Sequence, residues 1–337
     1  MTATDPLPIL DLIEAFRRSK TMFAAVSLGV FDQLAAEPIE AVHLASKLRC
    51  DAGALTRLLD GCAGLGLLER TEQGYSNTSV SNTYLVSNSP DSLAGYIIYS
   101  DRSLYPLWEH LEDAVREGSN RWEQTFGSRQ SLFDHFFRTE NSQRTFLGGM
   151  HGLGQISSVK VAQAFDLSAI GHVADLGGAT GHFCLAACAL YPDLTATVFD
   201  LPPVSRFAEE QIDRKQLHHR VKFQSGDFFS DPLPSADLYY LGRILHDWDE
   251  GRIQRLLGRI FAALPAGGSV LIAEALLKDE RTGPMYALMQ NLNMLICTDG
   301  KERTCSDYRS LLERAGFHPV ECRRTDTILD AILARKP

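Results

Sequence analysis

The chain has 337 residues, 45% of them hydrophobic and 22% charged, with a formal net charge of −9. That length holds two domains of roughly 100–200 residues each, and the acidic balance excludes a sequence-independent nucleic-acid binder, which needs clustered Lys and Arg. The seven cysteines are an odd number without a CxxC; this excludes zinc spacing and reads as reduced thiols packed as small hydrophobes rather than a disulfide framework. The opening MTATDPLPILDLIEAF has no basic and apolar leader pattern, and no apolar run reaches the roughly 18 residues of a membrane span. A cytoplasmic protein without membrane contact is expected.

Asp5-Pro6 starts a helix, with Asp as N-cap and Pro at the first position, and Ile9, Ile13, Phe16, Phe23 and Val26 mark its apolar stripe as far as Gly29. EAVHLASKL, a turn at Arg49–Asp51 and AGALTRLLDGCAGL follow, then LLER and GYSN as two short strands around TEQG. This order is a winged-helix pattern. A DNA-reading second helix would need basic or amide side chains, whereas residues 51–66 offer only Arg57, beside Asp51 and Asp60. A protein-interaction or dimerisation module is expected instead, over residues 1–100.

Residues 90–165 read as helical. The run FLGGMHGLGQ places Gly148, Gly149, Gly152 and Gly154 inside that pattern, which either breaks a helix or lets a ligand approach its backbone. From 171 the pattern alternates. HVADL, TATVFD, VKFQSGD, DLYYLGR and SVLIAEA are buried-strand candidates, helical segments separate them, and FHPVECR and TDTILDAILARK read as two more strands. The alternation predicts an α/β, doubly wound, mostly parallel seven-stranded Rossmann-like sheet over residues 101–337.

The turn DLGGATGHF, Asp175–Phe183, follows the first of these strands. It fails the dinucleotide fingerprint GxGxxG, because Ala179 and His182 stand where glycines are required. Other features suit a different ligand. Asp175 precedes the turn, and Asp200 ends the next strand, where a carboxylate can accept both ribose hydroxyls. The turn's N–H groups can hold a carboxylate. Gly226-Asp227-Phe228 offers a carboxylate and a ring for an adenine. A ligand that needs all of these and no phosphate is S-adenosylmethionine.

LHDW at 245–248, GDFF at 226–229 and GKERT at 300–304 resemble the metal-independent, plant-type O-methyltransferases. LGVFDQLA, EDAVREG, LNML and the closing DAILARK resemble the acetylserotonin type among them. The resemblance implies a homodimer formed through an N-terminal winged-helix domain, S-adenosylmethionine as cofactor with S-adenosylhomocysteine as product, no metal, and a small aromatic substrate of secondary metabolism. It carries over Gly177, Asp200, Gly226, Asp227, Phe228 and Arg243 as cofactor contacts.

His246 follows the fourth strand, at the sheet edge where α/β ligands bind, and a neutral imidazole suits a general base for a phenol. The resemblance places Glu274 and Glu302 beside it; Asp247 would orient substrate or begin the next helix. A metal site of His246 with Asp247 or Asp249 lacks a second ligand cluster. Met150, His151, Met289, Asn293 and Cys297 are expected to line the substrate pocket. The sequence departs from the usual methyltransferase turn at Ala179 (a glycine there), and from the acetylserotonin type at Phe137 and Gly154 (Tyr and Trp) and at Cys297 (Gln). The alternative to an enzyme is a non-catalytic S-adenosylmethionine-binding or regulatory protein on the same fold.

Overall fold

The computed structural model describes residues 5–127 and 139–337. Phe137 therefore lies outside the described residues. The chain divides into two compact units, Met1–Leu104 and Tyr105–Pro337.

In the first unit, α1 (Leu7–Leu28) follows Pro6 at its N-cap, and Asp5 Oδ1 accepts the Leu7 N–H at 3.0 Å. Gly29, in the left-handed region at φ 78°, ends the helix and redirects the chain. The predicted stripe splits along its length: Val26 is buried, but Ile9, Ile13 and Phe16 are 62%, 53% and 51% exposed. Helices α2 (Ala41–Leu48) and α3 (Ala52–Gly64) lead into the antiparallel pair β1 (Leu68–Thr71) and β2 (Gly74–Asn77), with Leu68 opposite Asn77. This is the winged-helix arrangement. Gly74 is required where the wing crosses Ile39, because a Cβ there would lie 2.3 Å from the Ile39 carbonyl oxygen. Phe31, Leu44, Leu55, Leu59 and Leu68 form the unit's own core.

In the second unit, short helices precede α4 (Glu140–Gln163), which Thr139 starts as a capping box with Ser142. The glycine-rich run lies inside α4 and does not break it. Beyond it come β3 (His172–Leu176), α5 (His182–Leu190), β4 (Thr195–Asp200), α6 (Ser205–Arg214), β5 (Val221–Ser225), β6 (Leu238–Gly242), α7 (Glu250–Ala263), β7 (Ser269–Glu274), α8 (Met285–Cys297), α9 (Cys305–Arg314), β8 (Val320–Arg323) and β9 (Asp330–Arg335).

The seven strands form one sheet in the order β5-β4-β3-β6-β7-β9-β8. The first five are parallel, whereas β9 runs antiparallel to both β7 and β8. Strand alternation feeds two cores. Val173, Val198, Tyr240 and Leu271 face the side of α4, α5 and α6, while Ala174, Phe199, Tyr239, Leu241 and Ile272 face α7 and α9. Both faces are buried, which is why these strands read as nearly continuous apolar runs.

One expectation is corrected. Cys305 and Cys322 form a disulfide, so the cysteines are not all free thiols. The sheet order lays β8 beside the start of α9 and brings the two Cα atoms to 6.3 Å, inside the range a disulfide spans. Their sequence spacing carries no such signal.

Candidate active site

The parallel strands end along one edge, and the turns that leave them build two adjoining groups of residues. The first surrounds the glycine turn. Gly177, at φ 73°, donates its N–H to the Phe199 carbonyl at 2.8 Å. A Cβ on it would lie 2.5 Å from Ile244 Cδ1 and 3.4 Å from the Phe228 ring, so Gly177 marks where the ends of β3, β5 and β6 converge. Gly226 is equally constrained: a Cβ would meet the Phe199 ring at 2.3 Å.

Asp200 lies beside the turn. Its Oδ2 accepts the Ala179 N–H at 2.8 Å and its Oδ1 the Leu201 N–H at 2.7 Å. Burial raises it to about 6 against the pull of these two donors. Asp227 Oδ1 accepts the Phe229 N–H at 2.7 Å. Asp175 lies beneath the turn, withdrawn from its surface. It is 1% exposed, lies beneath Gly178 and near the Cys184 thiol, and is raised to about 8 by burial and then by Asp200. Ala179 stands at φ 47°, a left-handed conformation that a glycine would adopt without strain.

Two histidines back the turn. His151 Nδ1 is 2.6 Å from Thr180 Oγ1, so His151 meets the glycine turn. His182 Nδ1 is 2.9 Å from Ser158 Oγ, and Ser158 donates to the Gly154 carbonyl at 2.8 Å. A Cβ on Gly154 would fall 2.4 Å from His182 Nε2. The close approach allowed by that glycine is therefore made by a side chain of the protein itself. Burial pushes His151 down to about 4 and His182 to about 3, aided by nearby cations that include Arg243 for His182.

The second group is built on the short turn Leu245–Asp247 after β6. His246 is 3% exposed, with Nδ1 2.7 Å from Glu302 Oε1 and 3.2 Å from Glu274 Oε2 and with Nε2 3.7 Å from Asp247 Oδ1. Glu274 ends β7. Its Oε1 accepts the N–H groups of Ile244, Leu245 and His246 at 3.1, 2.9 and 3.3 Å, and so fixes the turn. Glu302 arrives from the GKERT segment, which is tied to the chain after β7 by the Leu277 N–H to Arg303 carbonyl bond at 3.0 Å. Its own N–H donates to Asn291 Oδ1 at 3.0 Å.

Burial alone would lower the His246 pKa, but Glu274, Glu302 and Asp247 outweigh it and push the imidazole up to about 10. Glu274 is raised to about 7 by burial, against the pull of His246 and with the push of Glu302. Asp247 is raised, chiefly by burial. Asp249 caps α7 by accepting the Arg252 N–H at 2.9 Å, and Glu250 occupies the first turn.

Two residues of this group carried no individual role in the sequence reading. Arg303 is 1% exposed and donates to the Leu245 and Trp248 carbonyls, each at 3.2 Å, clamping both ends of the His246 turn. Gly300 lies flat against that turn; a Cβ on it would be 2.0 Å from the His246 carbonyl oxygen. Both belong to the quoted GKERT run, and that spacing was the only available signal. On α8, Met289, Asn293 and Cys297 share one helix face at i, i+4 and i+8. Cys297 is close enough to Asp247 to feel its charge, and Met289 is 44% exposed. Met150 lies on α4 next to His151.

Residues 108–318 match the O-methyltransferase domain, and residues 10–87 match the O-methyltransferase dimerisation domain. The chain belongs to the O-methyltransferase family. This O-methyltransferase is 41% identical over 338 residues to acetylserotonin O-methyltransferase of Gallus gallus, covering 98% of this chain and 97% of the relative. It is 42% identical to a human probable bifunctional dTTP/UTP pyrophosphatase/methyltransferase protein, of which it spans 54%. Human N-acetylserotonin methyltransferase in complex with SAM superposes with a TM-score of 0.93 at 39% identity, covering 100% of this chain and 99% of that one. The expectation of an S-adenosylmethionine-dependent O-methyltransferase holds. No helix among the described residues is long and apolar enough to cross a membrane.

Proposed function

We propose that this enzyme methylates a hydroxyl of a small aromatic or heteroaromatic compound, with His246 as general base. The observation that carries the reading is the clamp on its imidazole. Glu302 at 2.7 Å holds Nδ1 as the protonated nitrogen, which leaves Nε2 to accept a proton. With its pKa raised to about 10, the imidazole carries a proton on both nitrogens near neutrality, so the base form that takes the proton of a phenol, itself near 10, grows as pH rises toward that value. As Nε2 gains the proton, Asp247 Oδ1 at 3.7 Å faces the developing charge.

The residues around the glycine turn fit S-adenosylmethionine. Asp200 offers a carboxylate to a ribose diol, Phe228 beside Gly177 offers a ring face, and Gly177 and Gly226 leave the backbone bare. The Asp200 carboxylate at this edge opposes a phosphate. When bound, S-adenosylmethionine supplies the electrophilic methyl group. Gly177, Asp200, Gly226, Asp227, Phe228 and Arg243 would hold it. Asn293, Cys297 and Met289 would face the acceptor.

His246, Glu274 and Glu302 also offer ligand atoms within 4.8 Å of one another. Glu274 Oε1 already takes three backbone donors, and this favours holding a proton there over holding a cation. The exposed apolar half of α1, with Leu7, Ile9, Leu12 and Phe16 all at least half exposed, supports a homodimer through the dimerisation domain. Light scattering at the monomer mass would refute the dimer.

The deciding test is mass spectrometry of the protein incubated with S-adenosylmethionine and a panel of N-acetylserotonin, phenols and hydroxy-heterocycles. Gain of one methyl group on a hydroxyl is expected. Bound cofactor with no product on any member would refute the reading for these acceptors.

A further inference from the structure

Away from His246 and the glycine turn, α7 carries Arg252, Arg255 and Arg259, and no acidic residue stands between 251 and 263. Steps of three and four residues set these arginines along one side of the helix. The chain as a whole has a net charge of −9, yet among the described residues only Arg252 of the three has an ion pair, with Asp249 at 3.7 Å. Asp249 feels the Arg255 charge without pairing with it, and Asp231 turns its carboxylate to the Asp227 N–H at 2.8 Å. The Arg259 guanidinium donates to the Asp231 carbonyl, and its Nε is sealed from solvent without a partner. Arg255 Cζ lies 5.9 Å from the centre of the Phe229 ring.

These side chains border an open cavity of about 480 Å³, lined by Phe229, Arg255, Gly258, Arg259 and Ala262. Small-molecule sites span roughly 300–1,000 Å³. Gly258 is a second and independent sign. A glycine inside a helix costs about 1 kcal/mol against alanine. A Cβ at Gly258 would meet nothing within 4 Å, and its φ is not left-handed, so neither packing nor backbone geometry calls for glycine there. A bare backbone at that point gives a ligand room to lie against the helix.

The cavity therefore offers two guanidinium forks, whose donors match a carboxylate, together with an aromatic ring and the small residues Gly258 and Ala262. An anion without a ring would leave Phe229 unused, and a neutral aromatic would leave both cations unmet.

We propose that this groove on α7 is a second ligand site, separate from the cofactor and acceptor pockets, and that it binds a small aromatic carboxylate, with the charge on Arg255 and Arg259 and the ring between Phe229 and Gly258. Phe229 joins the groove to the rest of the enzyme. Its ring packs at a steep angle on Phe228 at 4.8 Å and on Trp248 at 5.2 Å. Phe228 borders the glycine turn, and Trp248 follows the turn that carries His246. The inference does not depend on the role given to His246.

The probe is 2-naphthoate, titrated calorimetrically into the full chain saturated with S-adenosylhomocysteine. It is compared with 2-naphthamide, which lacks the charge, and with inorganic phosphate, which lacks the ring. 2-Naphthoate is expected to bind about tenfold tighter than either, as charge-assisted hydrogen bonds to a guanidinium imply. Arg255→Gln and Arg259→Gln are each expected to weaken it by about tenfold. Gly258→Leu keeps both charges, fills the groove and is expected to abolish binding. S-adenosylhomocysteine affinity is expected to be unchanged in all three variants, which separates loss of the site from loss of the fold. Naphthoate binding that survives Gly258→Leu would place the ligand in another pocket and overturn the proposal. Equal affinity for the amide or for phosphate would overturn it too, as would no binding to the unsubstituted protein at millimolar naphthoate.

Discussion

His246 and His182 stand at the same edge of one sheet, and both are withdrawn from water, yet they titrate in opposite directions. Burial acts against the charged form of each. Around His246 it is overruled by Glu274, Glu302 and Asp247, and the imidazole rises to about 10. Around His182 there is a serine hydroxyl, the backbone of Gly154 and the field of Arg243, and the imidazole falls to about 3. The same side chain becomes a strong base in one place and a ring that is neutral at neutral pH in the other. The difference lies in which neighbours carry charge, not in depth of burial.

The comparison breaks first if His246 is not the base. His246→Ala is expected to lower kcat by about 10²–10⁴-fold, the usual worth of a general base, and to leave cofactor affinity nearly intact. Steady-state kinetics and calorimetry check the two halves. Unchanged kcat would remove the base.

Glu302→Gln sharpens it. Removing one negative charge at 2.7 Å lowers the His246 pKa, so the rising limb of kcat/KM against pH is expected to move to lower pH while the maximum falls by about 10–100-fold. The linkage to stability has the same origin. A raised folded-state pKa contributes stability that is complete below the ordinary imidazole range and lost as pH rises through about 10, and Glu302→Gln reduces that contribution.

His182→Ala tests the other side. The residue carries no charge near neutrality, so the pH–rate profile is expected to stay in place. Losing the ring over Gly154 and the Ser158 bond should cost about 1–3 kcal/mol in urea unfolding. Because its pKa is depressed, His182 destabilises the fold progressively below the ordinary imidazole range, and the variant should lose less stability between neutrality and pH 4. The smallest effect is expected from Ala179→Gly, which relieves φ 47° and should stabilise by up to about 1 kcal/mol, read from the urea midpoint.

The histidine site was more legible in the sequence than the surroundings of the glycine turn. His246 could be placed because it follows a strand in a βα alternation, and such positions lie at the carboxyl edge. Glu274 was legible as the end of the next strand, but its place beside His246 came through resemblance. Glu302 came only through resemblance, since a glutamate in a loop has no periodicity to place it; its position depends on the pairing of GKERT with the chain after β7. Around the turn, periodicity identified the helix that carries Gly154 but not the ring packed on it, because His182 lies far along the chain on another helix. The Trp108 to Asn293 bond is of the same kind, joining residues 185 positions apart.

Local order therefore settled most of the architecture: two units, a winged helix, a seven-stranded sheet and the turns that leave its strands. Those follow from apolar spacing and from Gly, Pro and Asp at element ends, which act over a few residues. Tertiary structure alone decided the insertion of β9 antiparallel between β7 and β8, the pairing of Cys305 with Cys322, the clamp of Arg303 on the His246 turn and the direction in which each histidine titrates. Each of these depends on the distance between groups remote in sequence, and charge, hydrogen bonding and steric exclusion all act through that distance.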